Sequence, residues 1–339
     1  MKQIFRENYI KIKFRWEYFL VLFLIAEIVI FGTLNPNFLR ARVLFGSVND
    51  FISICIIATF MCFVFITGGI DLQAGSIVGL TSIIIGVLWK NAGVNIYLAC
   101  LIATIIGCLC GALSGFFIAF TGVQPMVVTL GGSFLFSGLA IAVSNMSNTP
   151  AYLGISGFPK YFTAFTKIRF FKVIPAQLLI LVVAAVIAYI ILHRTKYGRK
   201  VFLCGINRNA AEFSGINTKL TIMSTYIFSG MAASIAGIIM TSYLGSSKSD
   251  FGSDLTMPII TAVILGGTST LGGKGGVIGS ALAAIVIGIL RFGLSMVGMS
   301  NQYLDIPVGI MLVLVVAVST ASKNQKIYSF MHRHLALKR

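Results

Sequence analysis

Residues 50–90 read DFISICIIATFMCFVFITGGIDLQAGSIVGLTSIIIGVLWK. Two apolar runs, 50–67 and 75–90, flank the interruption Thr67-Gly68-Gly69-Ile70-Asp71-Leu72-Gln73-Ala74-Gly75-Ser76. A helix crossing roughly 30 Å of hydrocarbon needs about 20 residues, and somewhat fewer when neighbours shield it. Both runs therefore read as membrane crossings. Irregular backbone between them survives at membrane depth only where protein or water satisfies its polar groups. A carboxylate there is a functional candidate. A plainer role for Asp71 is to cap the helix that begins near Ala74 by accepting bonds from its free N–H groups. The two roles are compatible.

The rest of the chain has the same character. Of its 339 residues 57% are apolar and only 10% charged, with a mean hydropathy of +0.95. A soluble domain carries about 25% charged residues. The formal charge of +17 does not indicate a nucleic-acid partner, because the basic residues lie almost wholly in short loops and at both ends. The partner implied is the lipid bilayer. Of the six cysteines, Cys55, Cys62, Cys100, Cys108 and Cys110 lie in apolar runs and Cys204 in a basic loop. None shows metal-ligand spacing with His193, His332 or His334, so no metal and no cofactor is expected. The basic start (Lys2, Arg6, Lys11, Lys13, Arg15) and the apolar run Phe19 to Leu34 read as a retained first span, too long for a signal-peptide core.

Ten spans are expected, near 17–34, 50–67, 75–90, 95–120, 126–144, 174–192, 221–243, 256–267, 276–297 and 305–321. The eighth is the shortest. Ten crossings put both termini on one side. With the termini in the cytoplasm, seventeen of the 26 lysines and arginines fall on the inner side and eight on the outer, as the positive-inside rule requires. An internal repeat shows in the spacing. Gly68-Gly69 is followed by Gly75-Ser76, and Gly272-Gly273 by Gly279-Ser280, each opening an apolar helix. The fold class is thus an all-α polytopic membrane protein of about ten helices with a weak parallel repeat.

Two loops carry candidate sites. Residues 193–220 hold Arg194, Lys196, Arg199 and Lys200, then a stretch that reads as a short helix. Asn207 is its N-cap, Ala210-Ala211-Glu212 favour helix, and Gly215 ends it. Such a helix fits a groove on a soluble partner; the plain alternative is an ordinary basic inner loop. Residues 145–173 hold the breakers Pro150, Gly154, Gly157 and Pro159 and the aromatics Tyr161, Phe162, Phe165, Phe170 and Phe171. They read as an interfacial helix or a surface for an outer partner. Glu27 lies inside the first span, Arg291 near an outer helix end, where it can snorkel, and Asp250, Asp254 and Asp305 in or beside outer loops. Structural roles are favoured for all five.

No phosphate-binding loop is present. Thr268 to Gly275 ends Gly273-Lys274-Gly275 but lacks the first glycine and the final hydroxyl of that motif. No nucleophile set is apparent, so the chain is not read as an enzyme.

Gly68-Gly69-Ile70-Asp71-Leu72 with Gly75-Ser76, the run Gly205-x-Asn207-x-x-Ala210-Ala211-x-x-Ser214-Gly215-Ile216, and Leu265-Gly266-Gly267 before Gly272-Gly273 resemble the ribose/monosaccharide-type permeases of bacterial ABC importers. The match runs over nearly the whole chain in order. Trp16-Glu17, Ile25 to Val29, Asp50-Phe51-Ile52, Gly157-Phe158-Pro159 and Met257-Pro258 narrow it to the autoinducer-2 import branch. The resemblance implies a single transmembrane permease domain over 1–339, with cytoplasmic basic tails 1–16 and 322–339 and a cytoplasmic coupling loop 193–220, in the inner membrane. It implies a cytoplasmic ATP-binding subunit at two copies or sites, a second, homologous permease forming a heterodimer, and a periplasmic substrate-binding protein. It makes Gly205, Asn207, Ala210, Ala211, Glu212, Ser214, Gly215 and Ile216 an ATPase-coupling helix, and Gly68, Gly69, Asp71, Gly75 and Ser76 a translocation or gating motif. A permease for ribose or another monosaccharide is the near alternative, and an ion-coupled secondary transporter, with Glu27 and Asp71 as its charges, the distant one.

Overall fold

A computed structural model describes residues 16–147 and 153–323. The basic cluster Lys2 to Arg15, the tail 324–339 and Pro150 lie outside the described residues.

All ten expected spans are helices, with bounds within four residues of expectation. They are α1 (Trp16–Leu34), α3 (Val48–Ile66), α4 (Ala74–Lys90), α5 (Ile96–Phe116), α6 (Pro125–Asn145), α8 (Ala176–Tyr189), α11 (Thr218–Leu244), α12 (Thr256–Leu265), α13 (Val277–Met296) and α14 (Asp305–Lys323). Short helices α2 (Ala41–Gly46), α7 (Lys160–Phe165), α9 (Lys196–Ile206) and α10 (Arg208–Phe213) join them. Single π-turns, Phe117–Thr121 and Ile190–Arg194, extend α5 and α8. Among the described residues seven of the ten are long and apolar enough to cross a membrane, and the other three have shorter apolar stretches. Pro125, Pro258 and Pro307 fall in first turns, where the missing N–H leaves no intrahelical bond unmade.

The all-α expectation needs one small correction. Two antiparallel ladders of two-residue strands stand at the end bearing residues 153–175: Ile155–Ser156 with Ser246–Ser247, and Arg169–Phe170 with Ile174–Pro175. We name this the aromatic end and the end bearing residues 193–220 the basic end. The Trp16 indole N–H donates to the Leu265 carbonyl (2.6 Å) at the basic end, and the Asn35 amide to the Met296 carbonyl (3.0 Å) at the aromatic end. The helix α14 starts beside Arg291 at the aromatic end, so the first and last described helices open and close at the basic end.

The helix α3 is the core, buried along nearly its whole length. The 27-residue α11, about 40 Å long, packs against α3, α4 and α5. Close approach of α5 depends on Gly107, Gly111 and Gly115, where any Cβ would overlap Ser234, Tyr226 or Met223 of α11. Helices in lipid associate through such packing, because lipid tails offer no hydrophobic drive between them.

The short eighth span has a physical explanation. The helix α12 has only ten residues, about 15 Å. The remaining depth is crossed by the irregular segment 246–255, which turns back from the aromatic end along α4. The Lys248 N–H donates to Ser82 Oγ (3.3 Å), and the carbonyls of Ser249 and Gly252 fill the spaces where Gly79 and Gly75 lack a Cβ. Gly75 stands fifteen residues from Lys90, about 22 Å below the aromatic end of α4. Asp250 and Asp254, expected in or beside outer loops, therefore sit on a re-entrant segment at membrane depth, and both are exposed.

Arg291 does not simply snorkel: it pairs with Asp305 at 2.5 Å. Glu27 is buried, and neither carboxyl oxygen has a hydrogen-bond partner among the described residues.

Candidate functional site

The turn from Thr67 to Gln73 begins where α3 ends. Thr67 Oγ1 donates to the Val64 carbonyl (2.8 Å), as does the Gly69 N–H (3.0 Å), and Gly68 adopts φ +81°. The chain then climbs back into the bundle. Asp71 is 0% exposed. Its Oδ1 accepts from the Gln73 N–H (3.0 Å) and its Oδ2 from Ser229 Oγ (2.6 Å). The capping expectation holds in part: Asp71 accepts from the N–H of Gln73, the residue at the N-cap of α4, while its other oxygen ties the turn to α11. Ser229 lies eleven residues into α11, about 16 Å, so the carboxyl sits near mid-depth. Gly75 and Ser76 divide their work. Gly75 lets the re-entrant segment approach, and Ser76 faces α6, where its hydroxyl meets Ser133 (3.0 Å) and Ser137 (2.9 Å).

The two glycine turns of the repeat meet. The Gly273 N–H donates to the Ile66 carbonyl (2.8 Å), and the place of a Cβ on Gly272 is bordered by Gly68 N at 3.0 Å. Gly205, at the end of α9, completes this junction. A Cβ there would overlap the Ile66 carbonyl and stand 2.6 Å from Gly273 N. Gly205 therefore belongs to α9 and to the junction, not to the docking helix in which the sequence reading groups it.

The loop 193–220 folds into α9 and α10 by successive caps. Thr195 Oγ1 accepts from Gly198 N–H (3.3 Å), Asn207 Oδ1 from Ala210 N–H (3.0 Å), and Asn217 Oδ1 from Leu220 N–H (3.0 Å). Gly215, at φ +79°, lets the Ile216 N–H return to the Ala211 carbonyl (3.1 Å), which ends α10 where the sequence predicts. Tyr197 anchors α9 to α11 through Ser224 (2.7 Å), and Arg208 anchors α10 to the π-turn through the Ala119 carbonyl (2.9 Å). Burial raises the pKa of the Cys204 thiol, so it stays neutral.

The face α10 presents differs from expectation. Ala211, 4% exposed, turns inward, while Ala210, Glu212, Ser214 and Gly215 are exposed. Phe213, absent from the sequence-based site, stands 93% exposed. Ile206 and Leu271 are exposed beside the junction, and Arg199, Lys200 and Lys274 are exposed at the same end. Exposed apolar and basic side chains thus share this end of the bundle. The available signal was a single aromatic in an otherwise polar helix. Between α10 and the first turn lies a cavity of about 180 Å³, bordered by Thr67, Gly69, Pro125, Cys204, Arg208 and Tyr226. The Tyr226 hydroxyl is wholly buried and has no partner among the described residues. Those residues hold no cluster of three metal-ligating side chains.

Residues 43–316 match the family described as branched-chain amino acid transport system / permease component. The chain is 40% identical to the autoinducer 2 import system permease protein LsrD of Salmonella paratyphi A over 325 residues, 96% of this chain and 95% of the relative. It is 40% identical to the Yersinia enterocolitica LsrD (95% of each chain) and 39% identical to that of Escherichia coli strain SMS-3-5 (93% and 95%). No solved structure matches it.

Proposed function

The chain belongs to the family of branched-chain amino acid transport system permease components, and we propose that it is the permease subunit of an ATP-driven bacterial importer of autoinducer 2, seated in the inner membrane. The observation that carries this reading is identity of about 40% to LsrD proteins along almost the full length. A narrower motif match would not separate one sugar-like ligand from another.

The chain carries no nucleotide-binding motif, so a separate cytoplasmic ATPase supplies the energy. It docks on the basic end with Phe213 as the anchor. Movement of α10 passes through α9 to Gly205, which touches both glycine turns at once. The first turn is tied to α11 by Asp71 and faces a cavity on its α10 side, so it has room to shift. Coupling requires one element with two arrangements that both sites bias; the paired turns are that element. A second, homologous permease completes the path, and a binding protein delivers ligand at the aromatic end. Both termini are then cytoplasmic.

The test is uptake of labelled autoinducer 2 in cells lacking only this subunit and any redundant importer, with ribose uptake as control. Selective loss of autoinducer-2 import, restored by this chain, is expected. Loss of ribose import alone would reject the ligand and keep the permease.

A further inference from the structure

The helix α6 packs on the bundle mainly through α4 and is otherwise exposed. The exposed faces of α5 and α8 are what lipid selects: Leu101, Ile105 and Leu109 on one, Val182, Val183 and Val186 on the other. The exposed face of α6 is apolar too, with Val127, Leu130 and Phe134; what sets this helix apart is its junction with α4. Along its junction with α4, the half-exposed hydroxyls of Ser76, Ser133 and Ser137 meet. Ser133 and Ser137 lie eight and twelve residues from Pro125, about 12 and 18 Å along a helix of about 31 Å, which is the middle of the membrane.

A donor count sharpens the point. Three hydroxyls carry three protons and share two hydrogen bonds, so among the described residues one proton lacks an acceptor. One turn before Ser76, Gln73 is 0% exposed. Its Oε1 accepts from Ser114 Oγ (2.6 Å) and fills the place of a Cβ on Gly132, next to Ser133. Its Nε2 has no partner among the described residues. Unused donors facing hydrocarbon cost several kcal/mol each. Beside a water-filled path they cost little, and they can be given to a ligand.

We infer that the α4–α6 seam, with Ser76, Ser133 and Ser137 half-exposed along it and Gln73 buried behind them, is this subunit's wall of the ligand path and binds an uncharged, polyhydroxylated molecule at mid-membrane depth. Hydroxyls and a carboxamide both donate and accept, as vicinal diols do, and none of the four side chains is ionisable. The re-entrant segment borders the same stretch of α4 through Gly75 and brings the exposed Asp250 and Asp254 to that level. The inference rests on the importer reading for the ligand's identity; the position of the path does not depend on it.

The experiment uses the assembled importer in membranes. Ser137→Cys and Ser133→Cys are compared with Leu109→Cys on the lipid face of α5 and with the unaltered chain, whose six cysteines give the baseline. A charged, membrane-impermeant methanethiosulfonate reagent is applied with and without ATP. At least one serine-site variant is expected to react tenfold faster than Leu109→Cys in one of the two conditions, and autoinducer 2 delivered by its binding protein is expected to slow that reaction. Protection by ribose in place of autoinducer 2 keeps the seam as the path and rejects the autoinducer-2 reading. Reaction without protection by either sugar overturns ligand binding at the seam. Rates equal to Leu109→Cys under both conditions overturn the path itself.

Discussion

At the scale of single residues, Asp71 ties two parts of the bundle together. Asp71 uses one oxygen to close its own turn and the other to hold α11. An amide in its place presents N–H groups to one of two donors, and a lost hydrogen bond to a buried carboxyl costs about 1.5–3 kcal/mol. Asp71→Asn is therefore expected to lower the unfolding temperature of the purified complex and cut import. Asp250→Asn, at an exposed site, should leave stability unchanged. Equal, negligible effects would reduce Asp71 to an incidental polar residue. Gly205 offers a second contrast. Any Cβ there meets the Ile66 carbonyl, whereas Gly131 has open space around it. Gly205→Ala is expected to reduce uptake at least tenfold with the protein still inserted, while Gly131→Ala reaches the membrane and transports normally.

At the scale of elements, a six-residue helix has little stability of its own. Its Asn207 cap, its Gly215 terminus and the inward Ala211 hold α10 in place, which frees Phe213 to face outward. Aromatic anchors at interface centres contribute about 2 kcal/mol or more, about 30-fold in affinity. Phe213→Ala is expected to weaken ATPase association by that order, measured by co-purification across salt-matched buffers, with the permease's own thermal stability unchanged. Ala211→Arg should do the reverse and lower stability first. The re-entrant segment is the other element with a single dependence. It lies against α4 only because Gly75 and Gly79 lack side chains. Gly79→Val is expected to displace it and abolish import, and protease accessibility at Asp250 from the aromatic side would report the displacement.

At the scale of the whole molecule, the ten apolar helices were legible in the sequence. Hydropathy needs only local composition and the thickness of the bilayer. Charge asymmetry between loops adds the expectation that both termini are cytoplasmic. Phosphatase fused after Arg339 is accordingly expected to be inactive, and active if fused within 145–173. The end and cap of α10 were also legible, because capping is local chemistry carried by Asn207 and Gly215. What the sequence by itself determined was therefore the list of apolar helices, the short helix after Asn207 and the two glycine turns. Only the tertiary structure decided that these turns touch each other and Gly205, that Asp71 reaches Ser229, that Ala211 turns in and Phe213 out, and that 246–255 re-enters the membrane. Those features join residues as far apart as Ile66 and Gly273. They depend on which face of each helix meets which neighbour, and apolar composition, nearly uniform around helices such as α1 and α3, leaves that choice to shape and close packing.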